Sequence, residues 1–288
     1  MSEPSLVHLD LAGLRSALAW AATEGWNPGL HDAEPFFVAD PGGYLGLEVD
    51  GRIAVVASVV RWSDRYAFGG LFIAAPDVRG EGLGFAMMQA ALAFAGDRTI
   101  GLDAVLEQEP LYARNGAVAS STTTRWRWER SLDPCPETDD ASGTGADATV
   151  DARTLAIADL VVFERDCVAG DRTAFLTAWL AAPDSVARAV VTDGALRAWG
   201  LRRPCVEGHR IGPLFATDAD AAEAVWASMT AGVDGPVFLD APDPNTIART
   251  LTARHGMTPG FTTRRMYFGP DPGLDLDRVV GVTTLELG

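Results

Sequence analysis

The chain repeats itself. Leu111-Tyr-Ala-Arg-Asn-Gly116 returns as Leu251-Thr-Ala-Arg-His-Gly256, 140 positions later. The same offset carries Thr122-Thr123 onto Thr262-Thr263 and Arg125 onto Arg265. Leu102-Asp103-Ala104 matches Leu239-Asp240-Ala241 at an offset of 137, and Asp50-Gly51 matches Asp193-Gly194 at 143. Anchors in one order at nearly constant spacing imply a duplicated fold, with too few copies for a solenoid. The 288 residues therefore divide into two halves of ordinary domain size. Residues 131–150, SLDPCPETDDASGTGADATV, join them. That stretch is poor in large apolar residues and cannot bury enough surface to offset its ordering entropy, so it reads as a linker. The expected organisation is a first domain over 1–130, a linker over 131–150, a second domain over 151–270, and a closing segment over 271–288. The alternation of Leu276–Leu287 predicts a final strand in that segment, without indicating onto which sheet it docks.

Each half mixes strand and helix patterns. In the first, Asp10 is placed to cap a helix running to about Glu24, and a short segment follows near Ala33–Val38. Tyr44–Val49 and Ile53–Trp62 read as strands joined across Asp50-Gly51, a two-residue hairpin signal. A strand over Ala67–Ala75 leads to a helix over Gly82–Ala95 with an apolar stripe. A strand over Thr99–Ala104, a short helix over Glu109–Asn115 and a strand over Val118–Trp128 complete the half. This order indicates an α/β (α+β) fold, a mixed sheet flanked by helices.

The glycine-spaced turn Arg79-Gly80-Glu81-Gly82-Leu83-Gly84 lies between an apolar strand and a helix start. The first N–H groups of a helix have no internal partner and sit at the positive end of the dipole, so such a turn suits an anion. Glycines let a pyrophosphate approach the backbone, and Arg79 adds a cation. A dinucleotide turn wants G-x-G-x-x-G, whereas this run is G-x-G-x-G, and there is no Lys for a P-loop. Arg79-x-x-Gly82-x-Gly84 after a strand resembles the acetyl-CoA pyrophosphate motif of the GNAT superfamily of N-acetyltransferases. Leu111-Tyr112-Ala-Arg-Asn-Gly116 resembles its second signature, with Ala117 where Phe is usual.

The resemblance implies two tandem splayed sheets and an acetyl-CoA site formed by Phe72, Ile73, Ala74, Arg79, Gly80, Glu81, Gly82, Leu83, Gly84 and Phe85. The pantetheine would run along Phe72–Ala74 like an added strand. It also implies that Tyr112 donates a proton to the departing thiolate, a role that a phenol of ordinary pKa near 10 can fill. The family builds its acceptor pocket where this chain has Trp26, His31, Asp32 and Glu34. Trp26, Asp32 and Glu34 are the candidates for acceptor binding; His31, Asp32, Glu34, Glu107 and Glu109 are the candidates for the general base, and none stands out, an amine deprotonated through ordered water being the alternative.

The second half departs where the chemistry would lie. After Arg210–Ala216 comes Thr217-Asp-Ala-Asp-Ala-Ala-Glu223, without glycines and with acids that would satisfy the helix start and repel a pyrophosphate. Thr252 stands where Tyr112 stands. This half reads as a copy that has lost its cofactor site and that completes the acceptor pocket or mediates dimerisation.

Composition bounds the rest. The net charge is −16, with acids in excess in both halves and every basic residue an Arg. That disfavours nucleic acid and anionic membranes as partners and suits a cationic acceptor. The absence of a spanning apolar run or a signal peptide points to a cytoplasmic location, and the residue usage to a GC-rich bacterial genome. Cys135, Cys167 and Cys205 fit neither a disulfide framework nor a zinc site, and no metal is expected. The expected activity is direct acyl transfer from acetyl-CoA to a primary amine; the alternative is an acyl-CoA-binding regulatory module without turnover.

Overall fold

The computed structural model describes residues 3–130 and 149–288; the linker expected over 131–150 lies almost entirely outside them. The first half runs β1 (Ser5–His8), α1 (Leu11–Thr23), α2 (Ala33–Ala39), β2 (Tyr44–Val49), β3 (Arg52–Arg61), β4 (Tyr66–Ala74), α3 (Leu83–Ala95), β5 (Thr99–Val105), α4 (Glu109–Arg114) and β6 (Val118–Trp128). The second runs β7 (Thr149–Asp151), α5 (Ile157–Glu164), α6 (Thr173–Leu180), β8 (Val186–Thr192), β9 (Ala195–Pro204), β10 (His209–Ala216), α7 (Ala219–Thr230), β11 (Val237–Pro242), α8 (Thr246–Arg254), β12 (Thr258–Phe268) and β13 (Val279–Gly281).

Local chemistry sets these elements. Asp10 caps α1 by accepting from the Gly13 N–H at 2.8 Å. Asp50-Gly51 and Asp193-Gly194 both hold positive φ at each position, the requirement of a type I′ hairpin turn, so the duplicated dipeptide makes the same turn twice.

The two halves share one mixed sheet. Its order is β1-β2-β3-β4-β5-β12-β6-β11-β10-β9-β8-β7, with β13 added on β10. The last long strand of each half is thus exchanged: β12 lies against β5, and β6 lies against β11. Between them β6 and β12 pair antiparallel, Thr123 opposite Thr263, so that duplicated residues face one another as across a two-fold axis. The exchange places the repeat anchors in register. Arg125 lies opposite Asp240 and Arg265 opposite Asp103, each forming a two-pronged ion pair at 2.7–2.9 Å.

Each exchanged strand also packs into the other half's core. Trp128 meets Trp226 of α7 edge-on at 6.0 Å, and Met266 joins Leu102, Ala104 and Ala117. A third junction is helical: Phe36 of α2 stacks on Trp179 of α6, which stacks on Phe175.

The strand expected near the chain's end is short. Val279–Gly281 pairs with β10, and residues 282–288 then cross to the first half. There the Leu287 carbonyl accepts from the Trp62 indole at 3.1 Å, and Gly288 packs on the Phe68 ring. Among the described residues, no helix is long and apolar enough to cross a membrane, and no group of His, Cys, Asp and Glu is arranged to hold a metal.

Candidate active site

Strands β4 and β5 pair in parallel only over Tyr66–Gly69 and Thr99–Leu102. Beyond Gly69, β4 bulges against β3, with Leu71 at a φ of 48°. The two strands then diverge around a cleft of about 620 Å³, in the size range of small-molecule sites. Phe72, Ile73 and Ala74 form one wall of it and Leu102–Val105 the other.

At one end lies the glycine turn. Gly80 and Gly82 have φ of 85° and 84°, a conformation that a side chain resists. Among the described residues, no atom beyond their own chain neighbours lies within 4 Å of where their Cβ atoms would be, so the backbone there is open to an approaching group. Gly82 caps α3 without any side-chain hydrogen bond, leaving the first N–H groups of the helix available to an anion. Arg79 is aimed by the Ala74 carbonyl at 3.0 Å and paired with Glu24. Arg79, Gly80, Gly84 and half-exposed Phe85 line the cleft. Glu81, Gly82 and Leu83 do not; the Leu83 side chain points into the core beneath α3, so only its backbone N–H remains for a ligand.

Tyr112 of α4 lines the same cleft, edge-on to Phe72 at 6.5 Å. Burial pushes its phenol up to about 12. It therefore stays protonated across the physiological range and is a weaker acid than an exposed tyrosine.

The acceptor-side candidates separate. Trp26 lines the cleft, and its carbonyl accepts from Arg125 and Arg210, both at 2.8 Å. Asp32 is instead buried and paired with Arg203 at 2.8 Å, where it also accepts from the Gly29 N–H. Glu34 pairs with Arg15 on the surface. Arginines thus hold both carboxylates, and neither Asp32 nor Glu34 is among the residues lining the cleft. His31 lies on the surface near Asp184, and Glu109 pairs with Arg264. Glu107 reaches the cleft but is exposed.

Residues of the exchanged strand and closing segment complete the lining: Phe261, Thr263, Leu285 and Glu286. Arg125 does so from β6. Reasoning along the first half alone could not place the four that come from the second.

A model of the acetyltransferase (GNAT) family matches residues 11–118, and a model of the acetyltransferase (GNAT) domain matches residues 160–281. The holothin acyltransferase of Pseudoalteromonas sp. (strain SANK 73390) is 30% identical over 273 residues, covering 93% of this chain and 89% of that one. The chain belongs to the GNAT family. It is a two-domain GNAT protein and an acyltransferase. The uncharacterized N-acetyltransferase YitH of Bacillus subtilis (strain 168) is 26% identical over 247 residues, 84% of this chain and 83% of that one.

Among solved structures, a putative acetyltransferase from Pyrococcus horikoshii superposes with a TM-score of 0.81 at 17% identity, covering 100% of this chain and 97% of that one. A tandem GNAT protein from the clavulanic acid biosynthesis pathway gives 0.62 at 16%, covering 93% and 100%. At these identities both show the fold. In the second GNAT domain the corresponding positions are occupied. Asp218 caps α7 by accepting from the Ala221 N–H at 2.9 Å, and β13 occupies the space beside β10.

Proposed function

We propose that this GNAT protein transfers an acetyl, or closely related acyl, group from its CoA thioester to a primary amine by direct attack. One observation carries the reading: the first half combines an uncapped, glycine-lined helix start with a splayed cleft leading to a partly buried tyrosine. The helix start would take the pyrophosphate. The open edge of Phe72–Ala74 would take the pantetheine. Tyr112 would hydrogen-bond the sulfur as it gains charge, its neutral O–H serving as donor rather than as a strong acid. Neither Cys167 nor Cys205 lies in the cleft, in keeping with transfer without an acyl-enzyme.

The acceptor is a small molecule in this reading. Trp26, Phe261 and Leu285 add apolar lining to the cleft, and the 30% identical relative is named for acylating holothin.

The test is a calorimetric titration with acetyl-CoA, followed by CoA release in the presence of amines. One site per chain is expected. Tyr112→Phe should slow turnover about 10- to 100-fold with little change in acetyl-CoA affinity, as expected for a transition-state donor. Two sites per chain, or none, would overturn the assignment of the cleft. An unaltered rate would remove Tyr112 from the chemistry.

A further inference from the structure

The geometry points to Glu286, delivered by the segment that follows β13, as the carboxylate that takes the proton from the attacking amine. This role rests on the transfer reading above.

The segment is held from both halves. Gly212 of β10 has no room for a Cβ, because the Thr283 carbonyl would lie 2.3 Å from it. Gly70 of β4 has none either, since the Glu286 carbonyl would lie 2.2 Å away. Each glycine borders the bulge of its strand. The Thr284 hydroxyl accepts from the N–H groups of Glu286 and Leu287 at 3.2 and 3.0 Å, fixing a tight turn. Residue 286 is thus locked against Gly70, just before the Phe72–Ala74 edge assigned to the thioester's pantetheine.

Glu286 is 4% exposed and lines the cleft, yet among the described residues its Oε2 has no hydrogen-bond partner. Among the described residues, only two of those lining the cleft carry a buried, unpartnered side-chain polar atom: Glu286 and Ser58, which lies opposite Gly70 on β3. An orphaned buried carboxylate oxygen is costly unless a ligand satisfies it. The other acids of the cleft are engaged or solvated. Glu24 pairs with Arg79, Asp103 with Arg265, and Glu107 is exposed. Arg125 also lines the cleft but is engaged by Asp240, and buried Arg210 sits against the same aspartate, with Glu286 among the charges that favour its charged form.

Glu286 takes a proton from the substrate ammonium and passes it to solvent. The freed nitrogen attacks the thioester carbon, the C–N bond forms and the C–S bond breaks, with the Tyr112 O–H hydrogen-bonded to the sulfur as it gains charge. The second proton on nitrogen reaches the departing sulfur through Tyr112, which ends neutral, leaving amide and CoA thiol.

The experiment measures CoA release from acetyl-CoA with phenethylamine, and with water alone, in wild type, Glu286→Gln and Glu286→Asp across pH. Glu286→Gln should lower kcat/KM for the amine about 100-fold or more near neutrality. The deficit should shrink toward alkaline pH, where the amine, with a reference pKa near 10.4 as for lysine, loses its proton unaided. Acetyl-CoA affinity and Tm should hold, and Glu286→Asp should recover part of the rate. Equal rates and pH profiles in wild type and Glu286→Gln would overturn the role, as would a loss explained by weaker cofactor binding or a lowered Tm. A wild type that binds acetyl-CoA but releases CoA with neither phenethylamine nor water would overturn the transfer reading itself.

Discussion

In the first half, β4 and β5 separate after Gly69 and Leu102, and the gap stays open as a cleft. In the second, β10 and β11 separate after Ile211 and Leu239, and β13 fills the gap, with Leu239 Cδ1 2.4 Å from where a Cβ on Gly281 would stand. The helix that follows each first strand differs in the same sense. Gly82 starts α3 with its N–H groups unengaged; Asp218 starts α7 and spends its carboxylate on the cap. The duplicate therefore kept the splayed backbone and closed the site with its own chain. Its remaining contribution is to the other half. Arg203 and Arg210 tether the 26–32 loop, β12 lines the cleft, and the segment after β13 reaches Gly70.

The largest expected effect tests whether the halves are one cooperative unit. Asp240 is fully buried between Arg125 at 2.7 Å and Arg210 at 3.7 Å. Asp240→Ala leaves two buried guanidinium groups unpaired and should cost about 3–5 kcal/mol. With strands exchanged, calorimetry should show one transition moved as a whole; two transitions with only one displaced would break the picture of a shared sheet. Burial alone would raise the Asp240 carboxyl, but Arg125 and Arg210 hold it down to about 2. A lowered native pKa stabilises above the ordinary aspartate value near 3.9 and loses that stability as pH falls through it toward about 2. Wild type should show this acid loss, and Asp240→Ala should lack that share of it.

Next in size is Gly82→Asp. The substitution forces a side chain into φ 84° and sets a negative charge at the helix start. Acetyl-CoA affinity should drop at least about 100-fold, roughly 2.7 kcal/mol. The reciprocal change sharpens the comparison: Asp218→Gly should create no second site, because β13 still occupies the gap. An isotherm that gained a second site in Asp218→Gly would mean that capping alone had closed the second half.

Much of this was legible in the sequence. The glycine turn, Tyr112 and the hairpin dipeptides are local devices, each needing only neighbours in the chain, and they lie where their patterns predict. The pairs Arg125–Asp240 and Arg265–Asp103 were half legible: all four residues stand out as repeat anchors, but the sequence does not say that each pairs with the other copy. Strand exchange is a choice between similar partners, and the shared anchors favour neither. Asp32 looked like a pocket acid because charge near a pocket segment carries no sign of its partner, and Arg203 lies 171 residues away. Glu286 sits in no motif, and only the path of the chain after β13 brings it to the cleft.

The smallest effect isolates the cap of the second half from everything else. Asp218→Ala removes the carboxylate that accepts from the Ala221 N–H at 2.9 Å. Loss of an Asp N-cap costs about 1 kcal/mol. The partly exposed pair with Arg197 adds little, being screened by solvent. Acetyl-CoA stoichiometry and affinity should not change, because the cap serves a helix whose cleft is already filled. A drop near 1 kcal/mol in denaturant unfolding, with an unchanged binding isotherm, would make Asp218 a purely structural replacement for the anion that Gly82 leaves room for. A weakened isotherm would instead show that α7 transmits to the first half through β10 and the segment seated on Gly70, and the two halves could no longer be treated as a working site and a closed one.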